Sequence, residues 1–123
     1  MTGMGSKARA WARVWGAATA AVGATALLGG QRVAKAVSGG SGVPDAAVVR
    51  MLGGRQLLQG AAILIRPARP LLIGAVTVDV LHAASVVAAA VVWPGYRRAA
   101  LTSAAVASAS AAAGAVILRG THR

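Results

Sequence analysis

LLIGAVTVDVLHAASVVAAAVVWP, the stretch from Leu71 to Pro94, is an almost unbroken apolar run with two ionisable residues inside it. A transmembrane helix needs about 20 predominantly apolar residues, so this run is long enough to cross a lipid bilayer. Asp79 and His82 lie near its middle, where an acid costs about 2.5 to 3.5 kcal/mol on insertion scales. The stretch therefore predicts a membrane-spanning helix whose acid needs a partner inside the protein.

The composition of the chain also favours a membrane protein. Hydrophobic residues make up 57% and charged residues 12%, whereas about 25% of the residues in a soluble domain are charged. Small side chains dominate the apolar fraction; they would bury little area in a soluble core, but in lipid they let helices approach closely. The length of 123 residues predicts a single domain, 1–123.

The net charge of +11 fits either a nucleic-acid-binding protein or a membrane protein with basic flanks. The basic residues lie mostly between apolar segments, where they would meet anionic lipid headgroups. No basic recognition helix or aromatic stacking platform accompanies them, so nucleic acid is not an expected partner. The absence of cysteine excludes disulfides, thiolate metal sites and cysteine nucleophiles.

Four apolar segments predict an all-α, four-helix transmembrane bundle with helices near 11–30, 45–66, 70–93 and 98–119. The first segment fits an uncleaved helix better than a cleaved signal peptide, because no sharp cleavage site follows it. Residues 29–45 are predicted to be a loop, with one or two helical turns over Gln31–Val37 at the membrane interface and a flexible break at SGGSG.

Four crossings would place both ends of the chain on one side of the cell membrane. That side would carry the larger group of basic residues: Lys7, Arg9, Arg13, Arg66, Arg69, Arg119 and Arg123. The other side would carry Arg32, Lys35, Arg97 and Arg98. Because basic residues favour the cytoplasmic side, we expect both termini in the cytoplasm.

Counting residues from the turn at 66–70 identifies a partner for Asp79. Arg55 and Asp79 lie roughly 16 and 14 Å from that turn at about 1.5 Å per residue, so they reach similar depth on antiparallel helices. Gln56, Gln59 and His82 lie within a turn of one or the other. We therefore expect an Arg55–Asp79 ion pair within a buried polar layer formed by these residues.

Two roles are open for this layer. It can fix the packing of the helices, as buried pairs often do, or it can form part of a proton pathway or ligand site. A metal site is less favoured because Asp79 and His82 supply only two ligands, and no cofactor is expected. The sequence shows no nucleophile with a base and an orienting acid, which argues against an enzyme. The first interpretation is a structural or accessory membrane protein; the alternative is a proton-coupled carrier of a small solute or lipid, acting as an oligomer.

Small residues recur at helical spacing on the first and last predicted helices. Gly16, Ala20 and Gly23 form one such face, and a second follows the last helix at Ser103, Ala107, Ser110 and Gly114. Such faces pack tightly against a neighbouring helix. Because one bundle would not necessarily cover both faces, they predict a homo-oligomer or a membrane-protein partner.

The stretch from Val49 to Ala100 resembles a family of small uncharacterised four-helix integral membrane proteins of actinobacterial type. RMLGGRQLLQG matches the family's Arg-x-x-Gly-x-Arg-x-x-x-x-Gly pattern, and VDVLHAAS matches the Asp-x-x-His segment that follows it. The matching positions are Arg50, Gly53, Arg55, Gly60, Asp79 and His82. The resemblance covers under half of the chain and implies a four-helix membrane fold, with no activity to carry over.

Overall fold

The computed structural model describes residues 4–39 and 45–120, and within these ranges the chain is helical with no strand. It forms five α-helices: α1 (Ser6–Leu28), α2 (Gly30–Ser38), α3 (Ala46–Ile65), α4 (Arg69–Val92) and α5 (Arg97–Gly120). A 3₁₀ turn, Pro94–Tyr96, joins α4 to α5. The all-α prediction is confirmed for these residues, with five α-helices in place of the expected four.

The differences from the predicted segments have local causes. α1 begins at Ser6, not near residue 11, because Ala, Lys and Arg are strong helix formers even where the sequence is not apolar. The turns expected over Gln31–Val37 form a nine-residue helix, α2, that ends at Gly39 in the left-handed region with φ 64°. The predicted break at SGGSG lies mostly outside the described residues.

Asp45 and Pro70 determine where α3 and α4 begin. The carboxylate of Asp45 accepts a hydrogen bond from the backbone N–H of Ala47 at 2.8 Å, which caps the first turn of α3. Pro70 lies in the first turn of α4, where its missing N–H leaves no hydrogen bond unmade.

α1 and α3 pack antiparallel with their backbones in direct contact. Gly16 lies opposite Gly60, and Gly23 lies opposite Gly53. A Cβ atom on Gly16 would lie 2.8 Å from the carbonyl oxygen of Gly60, and one on Gly23 would lie 2.5 Å from that of Gly53. Only glycine permits this approach. We call these four residues the glycine interface.

α4 and α5 form a second pair, an antiparallel hairpin closed by the 3₁₀ turn. The buried residues of α5 are all Ala or Gly, namely Ala99, Ala100, Ala104, Ala107, Ala111 and Gly114. The small-residue faces of α1 and α5 thus both pack within this chain. A homo-oligomer or a membrane-protein partner stays a prediction.

The two pairs meet mainly through α1, α2 and α5, while the consecutive helices α3 and α4 make few contacts. At one end a core of buried residues joins the pairs, and it consists of Met4, Ala12, Trp15, Ile63, Leu72 and Ala75. At the opposite end α2 lies against α5, where the hydroxyl of Thr102 is 3.5 Å from the carbonyl oxygen of Val37. We call these the core end and the α2 end.

The outer surface of the molecule is rich in large apolar side chains. Leu28 is 85% exposed, Leu58 74%, Ile65 79% and Val91 73%. Two helical stretches, Arg69–Val92 and Pro94–Gly120, are long and apolar enough to cross a membrane, and most of their residues face outward. An exterior of this kind suits lipid better than water.

Candidate functional site

Asp79 lies at one end of a hydrogen-bonded chain that joins three helices. Its side chain is 1% exposed, and Oδ2 accepts a hydrogen bond from the hydroxyl of Ser110 at 2.8 Å. The Ser110 oxygen in turn accepts a hydrogen bond from Nε1 of Trp15 at 3.2 Å. We call these residues the Trp15–Ser110–Asp79 chain; it connects α1, α5 and α4.

The small residues of α5 make room for this chain. A Cβ on Gly114 would lie 3.0 Å from Cη2 of the Trp15 ring and 2.6 Å from Cγ2 of Val76. The absence of a side chain at this position therefore lets the indole pack against the backbone of α5. Trp15 is 8% exposed, and its N–H finds the hydrogen-bond partner that a buried tryptophan usually has.

The predicted Arg55–Asp79 ion pair does not form. The Asp79 carboxylate is bound by Ser110, and Nε of Arg55 is buried without a hydrogen-bond partner. The prediction assumed that α3 and α4 pack as a hairpin around their short link. Instead α3 packs on α1 through the glycine interface, and α4 packs on α5.

His82 also has its partner on α5. Its Nε2 lies 2.7 Å from the hydroxyl oxygen of Ser103. His82 itself lies about one turn from Asp79 along α4. The contact with Ser103 shows that its ring reaches toward α5.

Part of the predicted polar layer does meet, at a cavity between the two helix pairs. The cavity has a volume of about 620 Å³, and all five helices contribute to its wall. Arg55, Gln56 and His82 line it together with Ser103. Asp79 and Gln59 are not among its lining residues, so the layer divides into the Trp15–Ser110–Asp79 chain and this cavity.

Two polar atoms on α3 are buried without a partner. They are Nε of Arg55 and Nε2 of Gln59. A buried polar group left without a hydrogen bond costs about 1–3 kcal/mol, and more when it is charged. Among the described residues, α3 is therefore the helix that carries buried side-chain nitrogens without hydrogen-bond partners.

The remaining motif positions have structural surroundings. Gly53 and Gly60 belong to the glycine interface. Arg50 is exposed and lies over Gly30. A Cβ atom on Gly30 would lie 2.7 Å from Cγ of Arg50. The Arg-x-x-Gly-x-Arg segment thus combines a helix contact, a surface arginine and a cavity arginine.

Sequence reasoning missed Trp15 as a site residue and assigned Ser103 and Ser110 only a packing role. The signal for Ser110 was available: Asp79 lies 15 positions before Pro94, and Ser110 lies 14 positions after Tyr96. Equal distances from a hairpin turn imply equal depth. Counted from the turn at 66–70, Asp79 instead matches Arg55 in depth.

The geometry does not assemble a catalytic triad or a metal centre in the described part of the chain. His82 and Ser103 are within hydrogen-bond reach, but a nucleophile–base pair needs a third group that orients the base. Asp79 instead accepts its hydrogen bond from Ser110. Among residues 4–39 and 45–120, no group of three or more His, Cys, Asp or Glu side chains could hold a metal ion.

Comparison with known proteins found no relative of this chain. No family model, no curated protein and no solved structure matches the chain.

Proposed function

We propose that the chain is a small multi-pass membrane protein of structural or accessory type, in which buried polar contacts fix how two helix pairs pack. The observation that supports this most directly is the Trp15–Ser110–Asp79 chain, with hydrogen bonds of 3.2 and 2.8 Å. It joins α1 of one pair to the α4/α5 hairpin of the other. Interhelical hydrogen bonds are a common means of holding helices together in lipid.

The distribution of polar and apolar side chains supports a membrane location. Asp79 is buried, while the surface carries exposed Leu, Ile and Val side chains. Two helical stretches meet the length and composition of a membrane crossing. We propose that α1 and α3 also cross, because their glycine interface holds them in an antiparallel pair beside α4 and α5.

This arrangement suggests an orientation in the cell membrane. The four long helices alternate in direction, so the start of α1, the 66–68 link and the end of α5 share the core end. That end carries Lys7, Arg9, Arg66 and Arg119 among its basic residues. We propose that it faces the cytoplasm and its anionic lipid headgroups. Membership of the small four-helix family that residues 49–100 resemble is likewise a proposal.

A double-mutant cycle tests the structural role. We expect Ser110→Ala and Asp79→Ala each to lower the free energy of unfolding, measured in detergent micelles. The coupling energy should be about 0.6 kcal/mol, and up to about 1.7 kcal/mol, the range found for interhelical hydrogen bonds in a membrane protein. Ser108→Ala is a matched control because Ser108 is exposed on the same helix. Strictly additive effects would contradict the proposal.

The cavity favours a second candidate, a carrier of a small solute or lipid. Its 620 Å³ volume lies within the range of about 300–1,000 Å³ typical of small-molecule sites. Liposomes containing the protein should then show flux of the transported molecule, and filling the cavity with Val86→Trp should abolish it. Equal flux in empty liposomes would exclude this candidate.

A further inference from the structure

The cavity is polar at its inner end and apolar along its length. At its inner end the cavity is lined by Arg55 and Gln56 on α3 and by His82 on α4, with Val22 of α1 and Val106 of α5 at a similar depth. From His82 the wall continues through Val86 and Ala89 to Trp93, a distance of about 16 Å at 1.5 Å per residue. Val33 and Val37 of α2 and Val48 and Val49 of α3 also line it. The result is a largely apolar channel with Arg55, Gln56 and His82 at its inner end, while Asp45, Tyr96 and Thr102 are among the residues at its outer end.

The inner end carries the guanidinium of Arg55, which forms no ion pair with an acidic side chain of the described residues. The chain has only two acidic side chains, Asp45 and Asp79. Asp79 accepts its hydrogen bond from Ser110. Asp45 lines the outer end, about 15 Å from Arg55 along α3. Nε of Arg55 is buried without a partner, so an anion that entered the cavity would supply the missing acceptor.

We propose that this cavity binds a single-chain carboxylic acid, with its carboxylate on Arg55 and its apolar chain directed toward the α2 end. A guanidinium donates two parallel N–H···O bonds to a carboxylate. Gln56 and His82 can donate further hydrogen bonds to the same oxygens. One arginine suits one negative charge, and 620 Å³ suits one short chain better than a two-chain phospholipid.

This inference concerns binding alone and rests neither on the structural role of the Trp15–Ser110–Asp79 chain nor on transport. The double-mutant cycle at Ser110 and Asp79 can therefore fail while this proposal stands, and the reverse also holds. A carrier would need the site, but a site with one bound acid would serve an accessory protein equally well.

Decanoate is the probe for the test. The full-length protein, labelled with ¹⁵N in its histidine rings, is placed in phosphatidylcholine nanodiscs so that no detergent competes for the cavity. The His82 signals are assigned by their absence in His82→Asn. We expect decanoate to shift them saturably, and decanol at equal membrane content to leave them unchanged, because the alcohol lacks the carboxylate.

Two variants locate the site. Arg55→Gln should weaken decanoate binding about tenfold or more, whereas Arg50→Gln should change it less than about twofold. The matched control removes the same charge from the same helix, but Arg50 does not line the cavity. Val86→Trp, which keeps Arg55 and fills the apolar wall, should also abolish the saturable shift.

Three results would overturn the proposal. They are an equal shift with decanol, an equal loss of affinity in Arg50→Gln and Arg55→Gln, and full binding in Val86→Trp. The first two would indicate that decanoate only partitions into the bilayer near a basic protein. If Arg55→Gln fails to fold, the decanol comparison and Val86→Trp still decide between the outcomes. Phosphatidylglycerol in place of phosphatidylcholine should not displace decanoate, and displacement would point to a phospholipid site instead.

Discussion

Arg55 and Asp79 show how differently two ionisable side chains can be treated inside one small protein. The Asp79 carboxylate lies in the Trp15–Ser110–Asp79 chain, so its removal leaves the part-buried hydroxyl of Ser110 without its hydrogen-bond acceptor. Nε of Arg55 makes no hydrogen bond, so its removal breaks none there. The two residues were expected to stabilise each other, and the structure predicts opposite responses.

We therefore predict that Asp79→Ala lowers the free energy of unfolding by about 1–3 kcal/mol, the cost of stranding buried polar groups. Arg55→Gln should leave it unchanged or raise it by up to about 1 kcal/mol, since it removes a guanidinium whose Nε is buried without a hydrogen bond. Denaturant titration of each variant in micelles measures both effects. A loss in Arg55→Gln as large as that in Asp79→Ala would restore the idea of a direct pair.

The packing of α1 on α3 depends on four residues without side chains. Within each helix the two glycines of the glycine interface are seven positions apart, Gly16 and Gly23 on α1 and Gly53 and Gly60 on α3. Two helical turns separate them, so they lie on one face. The backbones touch at both levels, which fixes the helices along their axes as well as side by side.

Neighbouring glycines on α3 offer a matched test of this interface. A Cβ on Gly53 would lie 2.7 Å from the carbonyl oxygen of Gly23, whereas one on Gly54 would come no closer than 3.9 Å to Leu27. Gly53→Ala should therefore destabilise the fold by about 1–3 kcal/mol through overpacking. Gly54→Ala should be neutral or stabilising, because Ala is the better helix former. Equal unfolding midpoints for the two variants would show that the backbones are not in contact.

The sequence allowed the helices to be located but not their neighbours. Apolar runs ending at Gly and Pro predicted segments that correspond to α3, α4 and α5 within a few residues. These helices, however, carry apolar side chains on their exposed faces as well as on their buried ones, so the sequence does not mark which side packs on protein. Gly16, Gly23, Gly53 and Gly60 held the information that α1 pairs with α3. The pairing of α1 with α3 can be predicted only when the glycine spacings of both helices are compared.

Because the sequence does not identify neighbouring helices, it predicted the contacts of the polar residues only in part. Arg55, Gln56 and His82 were predicted to lie together, and all three line the cavity. The partner of Asp79 could not be identified because depth alone does not say which helix is adjacent. Arg55 and Ser110 both lie near its level, and the packing of α4 on α5 selects Ser110.

The proposed membrane topology has a direct test, since the chain has no cysteine and each introduced thiol is the only one. Lys35, Tyr96 and Arg66 are exposed, and they lie on α2, on the 3₁₀ turn and on the 66–68 link. We predict that Lys35→Cys and Tyr96→Cys react with an impermeant reagent from the outside of the cell, and that Arg66→Cys reacts only after the membrane is opened. Labelling of all three from one side would exclude the four-crossing arrangement.

The few contacts between α3 and α4 mean that the peptide link between them contributes little to the packing. Each half of the chain already holds one complete helix–helix interface, and the halves meet mainly through α1, α2 and α5. The protein should therefore tolerate division into two separately translated pieces, 1–66 and 67–123. We predict that a tag on either piece recovers the other from membranes, and that Trp15→Phe lowers the recovery because it removes the hydrogen bond to Ser110. A gene split at this position would still encode the same assembly, with the contacts of α1 and α2 on α5 holding the two products together in place of the backbone.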